Sequence, residues 1–320
     1  MDDTKTPRMT TFGKRLVLAL LAFFLIWPLT LGAIWLIYRG YILIDQTMFP
    51  NPDADIVEMA GKTSPDASEA QKGAVLSAAL RNRLSREMRS AFGWSINDLW
   101  ISPTRWLDNR ANRQRGTIFA TRMLLNFYST HLSKYGAVDA ENALLKEARE
   151  KRLAFTEDSW WFPSTEKEYR KGIALIKNYE TDLLDGKAVF NMRSDDMYDL
   201  LDFITGRQLL DQPLGLLVQT NAEVQYTELD DRIYYTQGVV LVLRDLLKTL
   251  FVLYPEIEAK GGSDNIRVAL REMDQICTFD PVVVLRGDHD SVMADHRGKM
   301  ARYLISVRER LNDVAQSVRR

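Results

Sequence analysis

The chain has 320 residues, with 42 Lys and Arg against 43 Asp and Glu and a formal net charge of −1. That balance argues against a nucleic-acid binder, which would carry a basic footprint. The single cysteine, Cys277, rules out an intrachain disulfide framework, and three histidines leave little material for metal or acid–base chemistry.

Residues 16–38, LVLALLAFFLIWPLTLGAIWLIY, form a run of 23 residues without a charge. At ~1.5 Å per helical residue the run covers ~34 Å, enough to cross a hydrocarbon core of ~30 Å with some tilt. Lys5, Arg8, Lys14 and Arg15 precede it and only Arg39 closely follows, so the N-terminus is expected in the cytoplasm. Trp35, Tyr38 and Tyr41 then belong to the outer interface. The run exceeds the ~7–15 residues of a signal-peptide core and no small-residue cleavage site follows it, so it reads as an anchor. Pro28 is tolerated in such a helix. The division is a cytoplasmic tail over 1–15, a transmembrane anchor over 16–38, a linker over 39–65 and a helical periplasmic domain over 66–320. Pro50, Pro52, Gly61 and Pro65 mark the linker.

Helical spacing dominates beyond it. Ser64-Pro65 opens a helix carrying Leu76, Leu80, Leu84, Met88 and Ala91, which ends near Gly93. A second helix is expected from about Arg113 to Tyr135, closed by Gly136, and a third with Asp139 as its N-cap. Thr165 with Glu168 reads as a capping box ahead of Tyr169, Ile173, Ile176 and Leu183. Lys187–Arg193 is the best extended segment, and Ser194 is placed as the cap of a helix running to about Leu210. Residues 215–227 are ambiguous, because LLVQ and EVQY could pair as a hairpin. Further helices are expected at about 230–254, 264–277 and 291–318. The fold class is therefore all-α, a helical bundle after a transmembrane helix, with at most a marginal hairpin.

Val239–Tyr254 has twelve apolar residues in sixteen. A second span is nonetheless rejected, because Arg244, Asp245 and Lys248 each cost ~2.5–3.5 kcal/mol in a bilayer against ~0.3–0.6 returned per apolar residue. Arg244, Asp245, Lys248 and Thr249 share one stripe, which predicts a central bundle helix with one wet edge.

Four features invite a functional reading. Gly287-Asp288-His289-Asp290 with Asp295-His296 gathers two of the three histidines. Helical spacing separates His289 from His296 by about two turns, too far for one metal bound at ~2 Å by each, so Asp288 or Asp290 is better placed as a cap. No metal site and no cofactor is expected. Arg81–Arg122 holds nine arginines and no lysine, while Glu180–Arg232 holds twelve acids against four bases. Arginine without lysine suits bidentate recognition of carboxylate or phosphate, which makes Arg105, Arg110, Arg113 and Arg115 a candidate anion-binding face for anionic lipid or glycan. The favoured reading is the bland one, that the two halves pair within the fold or between copies.

Trp160-Trp161-Phe162-Pro163 precedes a helix start. Exposed, it would stack sugar rings or dip into the outer leaflet; buried, it would act as a hydrophobic staple, and the staple is the favoured reading. Met300, Leu304, Val307, Leu311, Val314 and Val318 alternate steps of four and three, giving either a candidate coiled-coil seam for a partner or an ordinary packed face. No catalytic motif is found, and the catalytic residues, if the chain has any, are unknown from sequence.

Several phrases carry a family resemblance: Trp161-Phe162-Pro163-Ser164 with Glu166 and Tyr169; Asp230-Asp231 with Tyr234-Tyr235 and Gly238; and Asp280-Pro281 followed by His296-Arg297 and Met300-Ala301-Arg302-Tyr303. With the anchor, they resemble a proteobacterial family of unknown function whose members are single-pass membrane proteins. The resemblance implies a Gram-negative inner membrane with the domain in the periplasm, and it assigns no activity to any residue. The expected function is binding, to an envelope protein or to a second copy of the chain, with an envelope enzyme acting on glycan or lipid, or an anionic-lipid binder, as the alternative.

Overall fold

The structure, a computed structural model, describes residues 11–48, 59–63, 66–89, 93–98, 108–134, 140–219, 224–225, 228–281, 284–287 and 291–319. Helix α1 (Thr11–Met48) is continuous, with Pro28 inside it. Its stretch Gly13–Thr30 is long and apolar enough to cross a membrane, and none of it is buried against the rest of the chain. The Thr30 hydroxyl donates to the Ile26 carbonyl at 2.8 Å, an internal partner of the kind a lipid environment demands. The helix runs ten residues past the expected end of the apolar run, so 39–48 of the expected linker is helical. Lys5, Arg8, Pro50, Pro52 and Pro65 lie outside the described residues.

Nine further helices of the described residues build the domain: α2 (Glu69–Arg89), α3 (Asp108–Phe127), α4 (Ala143–Glu147), α5 (Thr165–Leu184), α6 (Ser194–Thr205), α7 (Asp211–Val218), α8 (Leu229–Leu253), α9 (Ser263–Cys277) and α10 (His296–Arg319). Single π-helical turns follow α3 and α4 and precede α9. No strand occurs among the described residues beyond one isolated bridge between Arg286 and Asp295. The fold is all-α.

Helix α8 is the axis, packing against α3, α2, α9 and α7, while α10 closes the far side against α9, α6 and α7. Two glycines let α3 and α8 approach backbone to backbone. A Cβ at Gly116 would stand 2.0 Å from the Tyr235 carbonyl, and one at Gly238 would stand 2.0 Å from the Arg113 carbonyl.

The expected wet edge of α8 is not wet. Arg244, Asp245 and Thr249 are buried. Arg83 Nη2 of α2 lies 3.1 Å from both Asp245 oxygens, and Arg244 Nη2 lies 3.5 Å from Oδ1. On the α9 side, Arg244 and Lys248 reach Asp274 Oδ1 at 3.2 and 3.1 Å. The stripe looked solvent-facing because its residues are charged, but neighbouring helices supply the opposite charges.

Other local expectations shift by a few residues. The cap of α5 is Ser164, whose hydroxyl accepts from Lys167 N at 3.4 Å. Thr165 instead holds the preceding loop, and Glu168 pairs with Arg152 and Lys171 at 2.6 Å each. Asn142 caps α4, accepting from the Leu144 and Leu145 amides, and Asp139 lies outside the described residues. Ser194 is the first residue of α6 rather than its cap; the Arg193 amide donates to Asp196 Oδ2 at 2.9 Å. LLVQ is not a hairpin arm, because α7 runs through Val218, and half of the proposed partner, Glu223 and Tyr226, lies outside the described residues. The segment 187–193 forms no strand. It is pinned singly, Asn191 N to the Leu132 carbonyl and Met192 N to Glu69 Oε2.

Candidate functional site

An ion pair, hydrogen bonds and a ring contact along the packed helices fix which ends meet. Arg81 pairs with Glu180 at 2.5 Å and the Arg170 guanidinium donates to the Met88 carbonyl, so α2 and α5 run antiparallel. Tyr254 OH donates to Glu69 Oε2 at 2.8 Å, so α8 is antiparallel to α2 as well. Gln237 of α8 donates to the Ile276 carbonyl at the end of α9, and Phe279 stacks edge-on against His296 at the start of α10. One end of the bundle therefore gathers the C-terminus of α2, the first turns of α3, α5, α8 and α10, and the end of α9. The chain leaving α1 enters α2 at the opposite end.

The arginine face does not present free cations. Arg110 is buried, donates to the Gly93 carbonyl at 2.5 Å and lies 3.8 Å from Glu87; Arg113 lies 3.7 Å from the same carboxylate. Burial alone would raise the Glu87 carboxyl, but Arg113, Arg110, the Gln114 amide and Arg83 outweigh it and hold it below the ordinary range. Arg115, partly exposed, bonds Glu157 at 3.0 Å. Arg105 lies outside the described residues. The basic segment thus finds its carboxylates inside the fold, though only Arg81–Glu180 joins it to the acidic segment by a direct ion pair among these.

The six seam residues, Met300, Leu304, Val307, Leu311, Val314 and Val318, are all buried in the chain's own core. Their 4–3 spacing describes a helix face covered by α9, α6 and α7, which leaves no open stripe for a second helix. Asp288, His289 and Asp290 lie outside the described residues. His296 accepts from the Leu285 amide through Nδ1 at 3.0 Å, and burial, aided by Lys299, lowers its pKa despite Asp295. Asp295 caps α10 by accepting from Gly298 N at 2.8 Å. Among the described residues no three His, Cys, Asp or Glu are grouped to hold a metal. Cys277 packs against the core, and burial pushes its thiol up to about 12.

The aromatic cluster corrects the sequence reading in the opposite direction. Trp160, Trp161 and Phe162 are 56%, 71% and 79% exposed, so they form no staple. The reason lies in what occupies the ground beneath them. Trp94, fully buried, stacks edge-on against Tyr169 at 4.9 Å and takes the place a staple residue would fill. Its indole donates to the Glu157 carbonyl at 2.8 Å, and Asn97 donates to the Ser159 carbonyl at 3.0 Å. The Thr165 hydroxyl donates to the Thr156 and Ser159 carbonyls and accepts from Ser159 N at 3.1 Å. Glu166 accepts from Trp94 N at 2.9 Å, beside Gly93, whose φ of +52° suits glycine. The loop base is thus fastened on several sides while its tip faces water. At the tip the two indoles stand 5.1 Å apart at 73°, and Lys167 lies 4.4 Å from the Phe162 ring. Val292 and Met293, also exposed, precede α10 at the same end of the bundle.

A polar strip joins this loop to α8. Arg115 bonds Glu157 and, at 3.1 Å, Asn112 Oδ1; the Asn112 amide in turn donates to Asp231 Oδ1. Burial, with Asp108 and Asp230 close by, pushes the Asp231 carboxyl up to about 6 from an ordinary 3.8, against the pull of Arg115. A folded-state pKa above the unfolded one gives a stability contribution that is full below about pH 4 and lost as pH rises through about 6. Asp231→Asn keeps an acceptor for Asn112 while removing the charge. It is expected to raise the melting temperature near pH 8 and to leave it unchanged below about pH 4. Equal melting temperatures at both pH values would mean that the carboxylate carries no such cost.

Sequence reasoning missed the strip because Asn112 and Asp231 are far apart in the chain, and the Asp230-Asp231 phrase carries no sign of the contact. The exposed tryptophans were visible, but their exposure was not.

The chain belongs to a family described as an uncharacterized protein conserved in bacteria (DUF2333), whose match covers residues 16–220. The match takes in the apolar helix and the aromatic loop, whereas the Asp230 and Asp280–Tyr303 phrases lie beyond it. No curated protein and no solved structure matches the chain.

Proposed function

We propose that this member of the DUF2333 family is a single-pass, membrane-anchored binding protein that works through the aromatic end of its helical domain. The observation that carries the reading is an exposed Trp-Trp-Phe tip on a loop base that is hydrogen-bonded from several sides. Three aromatic side chains at these exposures present on the order of 300–500 Å² of apolar surface, the size at which a monomer's largest patch is often functional. A fastened base means that little conformational freedom is lost on binding. The Lys and Arg bias before the apolar run supports a cytoplasmic N-terminus and, in a Gram-negative bacterium, an inner-membrane protein with its domain in the periplasm. The anchor would confine the domain to the membrane surface and raise its effective concentration for partners there. Self-association through α10 has lost its support, since that stripe is internal.

The test is photo-crosslinking in intact cells from a benzoylphenylalanine placed at Trp161, with Arg271 on the exposed face of α9 as the control site. A discrete adduct at 161 and none at 271 is expected. Equal yields at both positions would end the reading.

The enzymatic alternative keeps one foothold, an Asp231 carboxyl that burial raises above the ordinary carboxylate range and that Asn112, Arg115 and Glu157 join to the same loop. A hydrolytic activity abolished by Asp231→Asn would replace binding with catalysis.

A further inference from the structure

We propose that the ligand of the aromatic end is a carbohydrate chain, one sugar ring of which rests in the corner formed by Trp160 and Trp161. This rests on the binding reading above and names its ligand class.

Three observations favour sugar over the other occupants of such a tip. The first is chemical pairing. A pyranose has an apolar C–H face and a rim of hydroxyl groups, so its receptor needs an aromatic face beside planar polar side chains. The indoles, 5.1 Å apart at 73°, form a corner rather than a flat plate, which suits a single ring laid on one face and bounded by the other. Glu157, Arg115, Asn112 and Asp231 continue from the loop as a hydrogen-bonded series of carboxylate, guanidinium and amide groups. Of these, Arg115 and Glu157 keep 39% and 42% of their side chains exposed, leaving donor and acceptor edges for hydroxyls.

The second is position. The segment after α1 joins the domain at the start of α2, whereas the loop lies at the other end of that helix, ~32 Å away for 21 residues at ~1.5 Å each. The tether therefore favours presentation of the tip away from the bilayer. Glu157 and Asp158, separated from the tryptophans only by Ser159, would also meet anionic headgroups unfavourably.

The third is size. A stable protein interface covers roughly 800 Å² on each partner, well above what three side chains on one loop provide, whereas one or two sugar rings need no more than that corner.

The experiment uses the full chain in nanodiscs of zwitterionic phospholipid. The probes are hexamers of β-1,4-linked N-acetylglucosamine, glucose and mannose and of α-1,4-linked glucose, followed by saturation-transfer NMR and tryptophan emission. At least one hexamer is expected to bind saturably at or below about 1 mM. Trp161→Ala should weaken that binding about tenfold or more, with Arg271→Ala unchanged. Because Trp161 is exposed, its replacement should leave the circular dichroism and melting curve as in the wild type, so lost binding cannot be ascribed to unfolding. No binding by any of the four hexamers, or binding indifferent to both Trp160→Ala and Trp161→Ala, overturns the proposal. Brominated-lipid quenching in the same nanodiscs that falls when Trp160 and Trp161 are both replaced by Phe, over the background from Trp27 and Trp35 of α1, would assign the tip to the bilayer and overturn it as well. A protein adduct in the crosslinking experiment, with no hexamer bound, would remove the sugar and leave the binding reading standing.

Discussion

Gly238→Ala is expected to destabilise the domain by about 3 kcal/mol or more, at or beyond the upper end of ordinary overpacking. The added Cβ would stand 2.0 Å from the Arg113 carbonyl oxygen and 2.9 Å from the Thr117 amide nitrogen. Both are backbone atoms of α3, so no rotamer change relieves the clash and the two helices must separate. The helix-propensity gain of about 1 kcal/mol for replacing Gly by Ala does not offset it. Gly116→Ala meets the Tyr235 carbonyl at the same 2.0 Å and should behave alike. Gly215, in α7, has nothing within 4 Å of its added Cβ, so Gly215→Ala should be neutral or stabilising by about 0.5–1 kcal/mol. Urea denaturation of the three variants reads the contrast. Equal midpoints would show that the α3–α8 crossing is looser than described.

Asp245→Asn is the second large effect, expected to cost about 3–5 kcal/mol. Its side chain is fully buried and faces Arg83 and Arg244, so the substitution preserves shape while removing the negative charge that these two guanidinium groups share. The contrast is Asp264→Asn, which removes a partner of Arg267 in a pair whose side chains are 90% and 70% exposed. An exposed pair of that kind contributes about 0–1 kcal/mol. Similar denaturation midpoints for Asp245→Asn and Asp264→Asn would mean that the α2–α8–α9 network does not hold the helices together.

These two sites show where the sequence is readable and where it stops. The helices themselves follow from apolar spacing: α2, α5, α8 and α9 lie close to where periodicity puts them, because a buried face has to repeat at the helical period. Their partners do not follow. Nothing local to Gly116 or Gly238 announces that each makes room for the other's backbone. Arg244, Asp245 and Lys248 read as a solvated edge, because sequence shows a charge but not the Arg83 or Asp274 that neutralises it. The same blindness kept Arg110 and Arg113 as a candidate anion face beside the favoured reading of internal pairing, when Glu87 already holds them. The α10 stripe was ambiguous for a related reason, as a face buried within one chain and a face buried between two have the same spacing. Trp160–Phe162 went the other way. Large aromatic residues are mostly buried, and only the presence of Trp94 beneath the loop, on a segment more than sixty residues earlier in the chain, frees them to face water.

The measurement that bears most directly on the account is the crosslinking yield along the surface in intact cells. The photoreactive residue would be placed in turn at Trp160, Trp161 and Phe162 on the loop, at Arg115 beside it, at Arg302 on the outer side of α10 and at Arg271 on α9. The account predicts adducts from the loop, a weaker one from Arg115, and none from α9 or α10. Adducts from Arg302 with a silent loop would contradict it, returning the function to the α10 surface and leaving the tryptophans without a role.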